Sequence, residues 1–581
     1  MRYPCKIPSL IYSKSSGRVE RTATSRCGNR YHLIFTHYTH PLLAVRFPPH
    51  SSLQILAGPG TGKTRVLTSR VAELVLGHSH SPSSICAVTF TRKASREMKE
   101  RLHGYLGAGP TEELKLGTFH SVCASYLRTY GPMVHVGPNF LIWDEEECSL
   151  LIKYIAESIH KGFAKNLPTA EVYEMFSIAK EQAKVNPKKG IETIIREALE
   201  HMMKGEYMSS TQDNPLYELE LVLQLYSSYS RVLRESNALD FTDLLIKGLD
   251  LFRAIPWARE VSRLKHVLVD EFQDTSSLQY LLVKQLFKTT EGSISVVGDP
   301  DQSIYGWRGA GLEVKYQKID LPQTKVIYLE ENYRTTASNI AAAISIISQD
   351  KTRPPKTLFT SLTPNGPKPL KKGFPTTTEE EAFISQEINR LIVKSDGIIN
   401  YGDCAILFRG NYSAGYFAKT LRNAGIPNRQ LPELSLNDKF EVKTLLAFLR
   451  LAINNAHTPM LIRAMEGPLR VPGKVIANLI GRSVKQNITL FNALERLQSG
   501  LDHDTTPSSI EPATLLIQML RHLKNLRQEG ASPVDLIQYT IEATGYYQYL
   551  KEEFMDDLWR TKNVELTIKY ARNYRASKGS E

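Results

Sequence analysis

One stretch constrains this 581-residue chain more than any other: Ala57-Gly58-Pro59-Gly60-Thr61-Gly62-Lys63-Thr64. It follows a short apolar run, Leu53–Leu56, and precedes Val66, Leu67, Val71, Leu74 and Val75 at helical spacing. A strand, a glycine-rich loop and a helix in that order form a cradle for phosphate. The glycines let successive backbone N–H groups curl around the anion, and the start of the helix adds positive potential. The spacing fits the phosphate-binding loop of nucleotide hydrolases. Lys63 is then placed to reach the β- and γ-phosphates, and the Thr64 hydroxyl to ligate Mg²⁺. The first position is Ala57, where the strict pattern has glycine.

Four further segments share one layout, a short apolar run that ends in polar or charged residues. In an open parallel α/β sheet, ligands sit beyond the carboxyl ends of the strands, so these endings are expected to converge. Val267-Leu268-Val269 leads into Asp270-Glu271-Phe272-Gln273-Asp274. Asp270 is expected to hold the metal ion and Glu271 to orient and deprotonate an attacking water. Ile294–Val297 leads into Gly298-Asp299-Pro300-Asp301-Gln302-Ser303-Ile304-Tyr305-Gly306-Trp307-Arg308-Gly309-Ala310. Val326–Leu329 leads into Glu330-Glu331-Asn332-Tyr333-Arg334-Thr335, and Ile85–Val88 into Thr89-Phe90-Thr91-Arg92-Lys93-Ala94.

Taken in this order, these strings resemble the UvrD/Rep/PcrA type of superfamily 1A DNA helicase. Gly117-Thr118-Phe119-His120-Ser121 and Asp240-Phe241-Thr242-Asp243-Leu244-Leu245 resemble two more of its signatures. The likeness covers roughly residues 53 to 581 and is strongest up to about 340. It implies ATP and Mg²⁺ as cofactors, with Ala57 to Thr64 and Arg65 around the nucleotide. Lys63, Glu271, Gln302 and Arg334 are implied as catalytic, Gln302 sensing the γ-phosphate and Arg334 acting as an arginine finger. Phe90, Arg92, His120, Tyr305, Trp307 and Arg308 are implied along a single-strand track, where aromatic faces stack on bases. Arg92 stands where the family usually has Asn.

The resemblance also implies an α/β architecture: a RecA-like P-loop NTPase domain with a parallel sheet, helical insertions and an incomplete second RecA-like domain. The first RecA-like domain is expected over 51–128 and 236–336, with a helical insertion over 129–235. The second is expected over 337–455, with a strand at Ala405–Phe408 and a helix closing at Ala424-Gly425-Ile426-Pro427. A second helical insertion is expected over 456–581.

Composition adds boundaries. No apolar run reaches the roughly 18–20 residues that a membrane helix needs. Cys5, Cys27, Cys86, Cys123, Cys148 and Cys404 are scattered, which argues against a zinc site, an iron–sulfur cluster or a disulfide framework. Residues 1–50 carry eight Lys/Arg against Glu20 alone, so only +5 of the net +12 is left for the rest of the chain. Bulk charge is therefore a weak pointer to nucleic acid. That opening segment reads as a disordered tail or misassigned start, or as a mitochondrial transit segment. A eukaryotic source implies the nucleus, with the mitochondrion as alternative, and a bacterial source the cytoplasm.

The chain departs from the family in two ways. Residues 1–50 hold no glutamine for the family's adenine-reading position. The later motifs, of T-x-H-x-x-K-G-L-E and Y-V-A-x-T-R-A type, are also missing before Glu581. The expectation is a 3′→5′ DNA helicase or translocase acting in repair, recombination or replication on single strands and single/double-strand junctions, in a truncated form with an impaired motor. The alternative is a non-motor ATP- and DNA-binding protein without DNA-stimulated turnover. The protein partners are open.

Overall fold

Apolar runs that alternate with helical stretches favour a parallel sheet, because a strand returning through a helix re-enters in the same direction. A computed structural model contains that sheet; it describes residues 23–24, 30–31, 39–165, 167–204, 215–254, 263–289, 293–305, 324–351, 353, 356–361, 366–431, 435–499, 507–555 and 558–578. The six strands are β1 (Leu53–Ala57), β2 (Ile85–Thr89), β3 (Lys115–Thr118), β4 (His266–Val269), β5 (Ile294–Gly298) and β6 (Lys325–Leu329). They lie in the order β6-β1-β5-β4-β2-β3, every neighbouring pair parallel. The four inner strands are buried along their whole length, as strands covered on both faces must be. Five strands match the apolar runs to within one or two residues, whereas β3 has no such run to announce it. The fold is RecA-like α/β, as expected.

The chain divides into two compact units, Met1–Pro138 with Leu244–Pro367 and Asn139–Asp243 with Lys368–Glu581. In the first, the helix Lys63–Leu76 buries Val66, Leu67, Val71 and Leu74 in one core with Leu53, Ile55 and Val297. That core also takes in Ala44 and Val45 from a helix at Thr39–Val45. The expectation of disorder through residue 50 therefore fails for its last dozen residues. Arg70, wholly buried, donates to the carbonyls of Ala44 (3.2 Å), Val45 (3.2 Å) and Phe47 (2.9 Å) and to Ser295 Oγ (2.6 Å). A lone basic helix residue gives no sign in the sequence that it anchors a distant segment. The first unit also extends past the expected boundary at 336. Ser338 Oγ donates to Gly366 O at 2.7 Å, and Glu331 bridges Phe359 in parallel.

The second unit is helical. Its first part runs through Glu145–Ile159, Thr169–Val185, Ile191–Lys204 and Pro215–Glu235, and a two-residue parallel pairing of Leu141–Ile142 with Ala238–Leu239 closes it. Trp143, Leu151 and Tyr154 from this part share one core with Phe448, Met460 and Ile476. Residues from the two expected insertions, and Phe448 from the expected second RecA-like domain, thus bury one another. A strand was expected at Ala405–Phe408, and none forms among the described residues: Leu407 is 94% exposed. A strand persists only where a neighbour completes its hydrogen-bond ladder, and no described residue supplies one. The flanking helices Thr377–Lys394 and Asn411–Asn423 form, and the second ends at Gly425 with φ +73° in the expected turn.

Candidate nucleotide and nucleic-acid site

The loop after β1 takes the shape its glycines permit. Gly60 (φ +68°) and Gly62 (φ +86°) sit in the left-handed region that disfavours a side chain. Gly62 is also the N-cap of the helix Lys63–Leu76 and offers no capping group, so first-turn N–H groups stay open to an anion. A Cβ at Gly60 would lie 2.6 Å from Asn332 Nδ2 and 2.8 Å from Arg334 Cβ. Buried Asn332 explains that closeness. Its Nδ2 donates to Pro59 O at 2.5 Å, and its Oδ1 accepts from the N–H groups of Arg334 (2.7 Å) and Thr335 (2.8 Å). Arg334 is thereby held beside the loop with an exposed side chain.

Three of the expected catalytic groups meet at Lys63. Its Nζ lies 3.2 Å from Glu271 Oε2 and donates to Gln302 Oε1 at 3.1 Å. Glu271 has φ +49°, a left-handed conformation that non-glycine residues adopt at a cost and that clusters at functional sites. Asp270, only 3% exposed, accepts the Glu271 N–H at 3.0 Å. Burial, and then the neighbouring Glu271 charge, push its carboxyl up to about 7. The same two causes raise Asp274 to about 6. Gln273 braces the group, donating from Nε2 to Glu271 (2.9 Å) and accepting the Asp299 N–H at Oε1 (2.9 Å).

These donors suit a magnesium ion that arrives on a nucleotide. Among the described residues no cluster of three His, Cys, Asp or Glu could hold a metal alone. Mg²⁺ usually keeps waters and phosphate oxygens beside one or two protein oxygens, which Asp270 and the half-buried Thr64 would supply. Ala57 closes β1, and Gly58 to Thr61 make the turn. Arg65 lies exposed on the first helical turn.

The expected nucleic-acid contacts that the structure describes follow the carboxyl ends of β2, β3 and β5. Thr89 of β2 pairs with Thr118 of β3, so Phe90 and His120 follow strands that run side by side. Phe90 and Tyr305 face each other with ring centroids 5.0 Å apart. Arg92 is exposed at the start of the helix Arg92–Leu106, which Thr91 caps by accepting the Ala94 N–H at 3.1 Å. Burial, and then the Arg92 charge, pull the His120 imidazole down to about 4. It is therefore neutral near pH 7, a stacking or hydrogen-bonding group and not a cation. Trp307 and Arg308 lie outside the described residues.

Sequence reasoning missed the residues that hold this site together. Asn332 and Gln273 stand inside strings already singled out, between strand end and catalytic group, and position alone could have flagged them. Lys356 could not have been flagged. It pairs with Asp299 and lies 2.8 Å from Asp301 Oδ2, far from any motif.

Comparison with known proteins agrees with this geometry. Residues 39–321 match the UvrD/REP helicase N-terminal domain, and residues 327–565 match the UvrD-like helicase C-terminal domain. The chain is 33% identical over 540 residues to the ATP-dependent DNA helicase srs2 of Schizosaccharomyces pombe, covering 90% of this chain and 59% of that one. It is 31% identical over 529 residues to the ATP-dependent DNA helicase PcrA of Staphylococcus aureus, covering 90% and 68%, and 32% identical over 531 residues to PcrA of Bacillus subtilis, covering 90% and 67%. It thus spans between about three-fifths and two-thirds of the length of these relatives. With both family models matched in order, and with the phosphate loop, acidic strand end and glutamine meeting at Lys63, the chain belongs to the UvrD/REP-like helicase family.

Proposed function

We propose that this chain is an ATP-dependent DNA helicase or translocase that moves 3′→5′ along single-stranded DNA and meets single/double-strand junctions. Repair, recombination or replication would be its setting. The observation that carries the proposal is the meeting of Lys63, Glu271 and Gln302 at the mouth of the phosphate loop, three residues before Tyr305, whose ring lies 5.0 Å from that of Phe90.

An ATP-bound Mg²⁺, held by Thr64 and Asp270, would neutralise phosphate charge. The protein's own residues do the rest. The open N–H groups after Gly62 take the β-phosphate, and Lys63 turns from Glu271 to the phosphates. Freed of its ion pair, Glu271 orients a water and accepts its proton. Gln302 contacts the γ-phosphate, and Arg334, tied to the loop through Asn332, offsets charge in the transition state. Coupling to DNA is short. Gln302 and Tyr305 lie on one segment, so a shift of the amide on hydrolysis moves a ring that bases stack upon.

A second reading, ATP and DNA binding without DNA-stimulated turnover, draws on Ala405–Phe408, which pairs with no described strand. Steady-state ATP hydrolysis by the purified chain, with and without single-stranded DNA and beside a Glu271→Gln control, separates the two. Stimulated turnover that the control abolishes supports the motor. Nucleotide binding without stimulation supports the second reading, and no nucleotide binding overturns both. Polarity is read from displacement of strands annealed at either end of a single-stranded tract.

A further inference from the structure

The phosphate-sensing glutamine is held by a segment that belongs to none of the strings around it. Residues 356–361 lie across the ends of β6 and β1. Phe359 N donates to Glu330 O (3.1 Å), and Asn332 N donates to Phe359 O (2.8 Å). The Leu358 side chain fills the space above Gly58, where a Cβ would come within 2.2 Å of it. This strap delivers the Lys356 side chain, 7% exposed, onto the wholly buried carboxylate of Asp299. Arg353 reinforces it, gripping Asp301 with two parallel bonds, Nε to Oδ1 at 3.0 Å and Nη2 to Oδ2 at 2.6 Å. Burial favours the neutral acid at Asp301, but the Arg353 and Lys356 bonds more than offset it and hold the carboxyl below its ordinary range.

Asp299 in turn decides which way Gln302 points. Its Oδ2 accepts from Gln302 Nε2 at 2.5 Å, while Gln302 Oε1 accepts from Lys63. A carboxylate only accepts and an ammonium only donates, so the amide between them has one satisfied orientation. In that orientation the second N–H of Nε2 remains for a γ-phosphate oxygen. Were Asp299 displaced, the amide could turn and present its oxygen to the phosphate, which repels it. A buried carboxylate is held in place by the cation that compensates it, and Lys356 is paired with Asp299 in that role.

We propose that Lys356, seconded by Arg353, is a positioning residue for triphosphate recognition: it fixes Asp299, which keeps an N–H of Gln302 directed at the γ-phosphate. The inference rests on the nucleotide reading above and adds to it the residue that makes the site distinguish ATP from ADP. ADP lacks the γ-phosphate, and the loop holds its β-phosphate without Gln302. Loss of Lys356 is therefore selective for the triphosphate.

Equilibrium titration of the full chain with fluorescent ADP and a fluorescent non-hydrolysable ATP analogue tests this, using wild type, Lys356→Gln, Lys356→Arg and Arg353→Gln. In Lys356→Gln the preference for triphosphate is expected to fall about tenfold, the worth of one hydrogen bond to a charged group, with ADP affinity kept within about twofold. Lys356→Arg should restore most of the preference, and Arg353→Gln should lose about threefold. An unchanged preference in folded Lys356→Gln overturns the proposal, as does an equal loss for both nucleotides. Should thermal melting show Lys356→Gln unfolded, an unchanged preference in Arg353→Gln overturns it instead. A wild-type chain that binds neither nucleotide overturns both this proposal and the function it rests on. A wild type that favours triphosphate beside variants that favour it equally overturns this proposal alone.

Discussion

Asp270 and Asp240 are the same residue, almost equally buried at 3% and 1% exposure, and their surroundings move them in opposite directions. In the sheet unit, burial and the Glu271 charge raise Asp270 to about 7. In the helical unit, burial also pushes Asp240 up, but Lys180 reverses the sign and holds it below its ordinary value. Lys180 Nζ lies 2.7 Å from Asp240 Oδ2 and 2.9 Å from Asp243 Oδ2, and Tyr229 adds a hydroxyl donor at 2.9 Å. The Asp243 N–H fills the other oxygen at 2.8 Å. Asp240 is therefore complete within the protein. Among the described residues the Asp270 carboxylate accepts only the Glu271 N–H, and the Lys63 ammonium pairs with Glu271 instead, a shortfall that a cation on a nucleotide would make good. Burial alone does not mark a site; burial with unfilled coordination, at the convergent end of a sheet, does.

The largest expected effect tests the unfilled side of this comparison. Glu271→Gln should cut DNA-stimulated ATP hydrolysis by about a hundredfold to ten-thousandfold, the usual loss of a general base, and leave the unfolding transition nearly unmoved. Thermal melting measured beside steady-state turnover checks it. A variant that loses stability and keeps turnover would make Glu271 a structural residue, and the comparison would collapse.

The filled side is tested by Lys180→Met. Removing the cation strands buried Asp240 and half-buried Asp243 and should cost about 3–5 kcal/mol in the unfolding of the helical unit. Chemical denaturation followed by far-UV circular dichroism reads the loss, while nucleotide binding by the sheet unit at low denaturant should persist. A loss below about 1 kcal/mol would show that water or relaxation compensates Asp240 as readily as Lys180 does.

A smaller effect is expected at the nucleic-acid edge. Phe90→Ala should weaken single-strand binding by about 1–3 kcal/mol without sequence preference, as loss of one stacking platform does. Fluorescence anisotropy with homopolymeric and mixed oligonucleotides measures it. Because His120 is neutral near pH 7, affinity should also stay flat from about pH 6 to 8 at constant salt. An affinity that rises on acidification within that range would mean that His120 binds phosphate as a cation.

The two regions also differ in how much of them the sequence discloses. At the sheet ends, each functional group follows its own strand by a few residues, so apolar run and polar ending are read together. That is why Lys63 and Glu271 could be read from the pattern, and why Asn332 and Gln273 could have been, whereas the roles of Gln302 and Arg334 came only from the family resemblance. Lys356 was not legible, because its partner Asp299 is fixed by a strap whose own pattern is bland. In the helical unit single helices are legible. Asp144 and Glu147 form a capping box that starts the helix Glu145–Ile159 where periodicity sets it. What those helices pack against is not legible. Lys443 reaches Asp144 at 3.3 Å, and Lys153 meets Glu466 at 2.9 Å, across hundreds of residues that carry no trace of the pairing. The Ala405–Phe408 expectation failed for a related reason: an apolar run proposes a strand, but only a partner makes one.

Glu147 offers the finest test, because it is an unfilled carboxyl inside the helical unit. It is 5% exposed, exchanges hydrogen bonds with Asp144 at 2.9 Å, and lies 3.7 Å from His457, whose ring stacks on Trp143. Burial, and then the Asp144 charge, raise Glu147 to about 7, while burial, and then Arg450, lower His457 to about 4. Between those values both are neutral, and the contact is no ion pair. The raised acid takes up protons more readily in the folded state, so its share of stability is lost as pH climbs from its ordinary value through about 7. The lowered histidine acts oppositely, its share growing from about 4 to its ordinary value, and the two nearly cancel in mild acid. Glu147→Gln keeps the cap and removes only the first share. Its stability relative to wild type should therefore rise between about pH 5 and 8, gaining about 1–2 kcal/mol at the upper end. Melting temperatures of both proteins across that range decide it. A rise means that the helical unit tolerates an unfilled carboxyl with no ligand to claim it, so convergence at the strand ends, more than a raised carboxyl, identifies the nucleotide site. A flat difference means that Glu147 is compensated like Asp240, and unfilled carboxyls belong to the sheet unit's site.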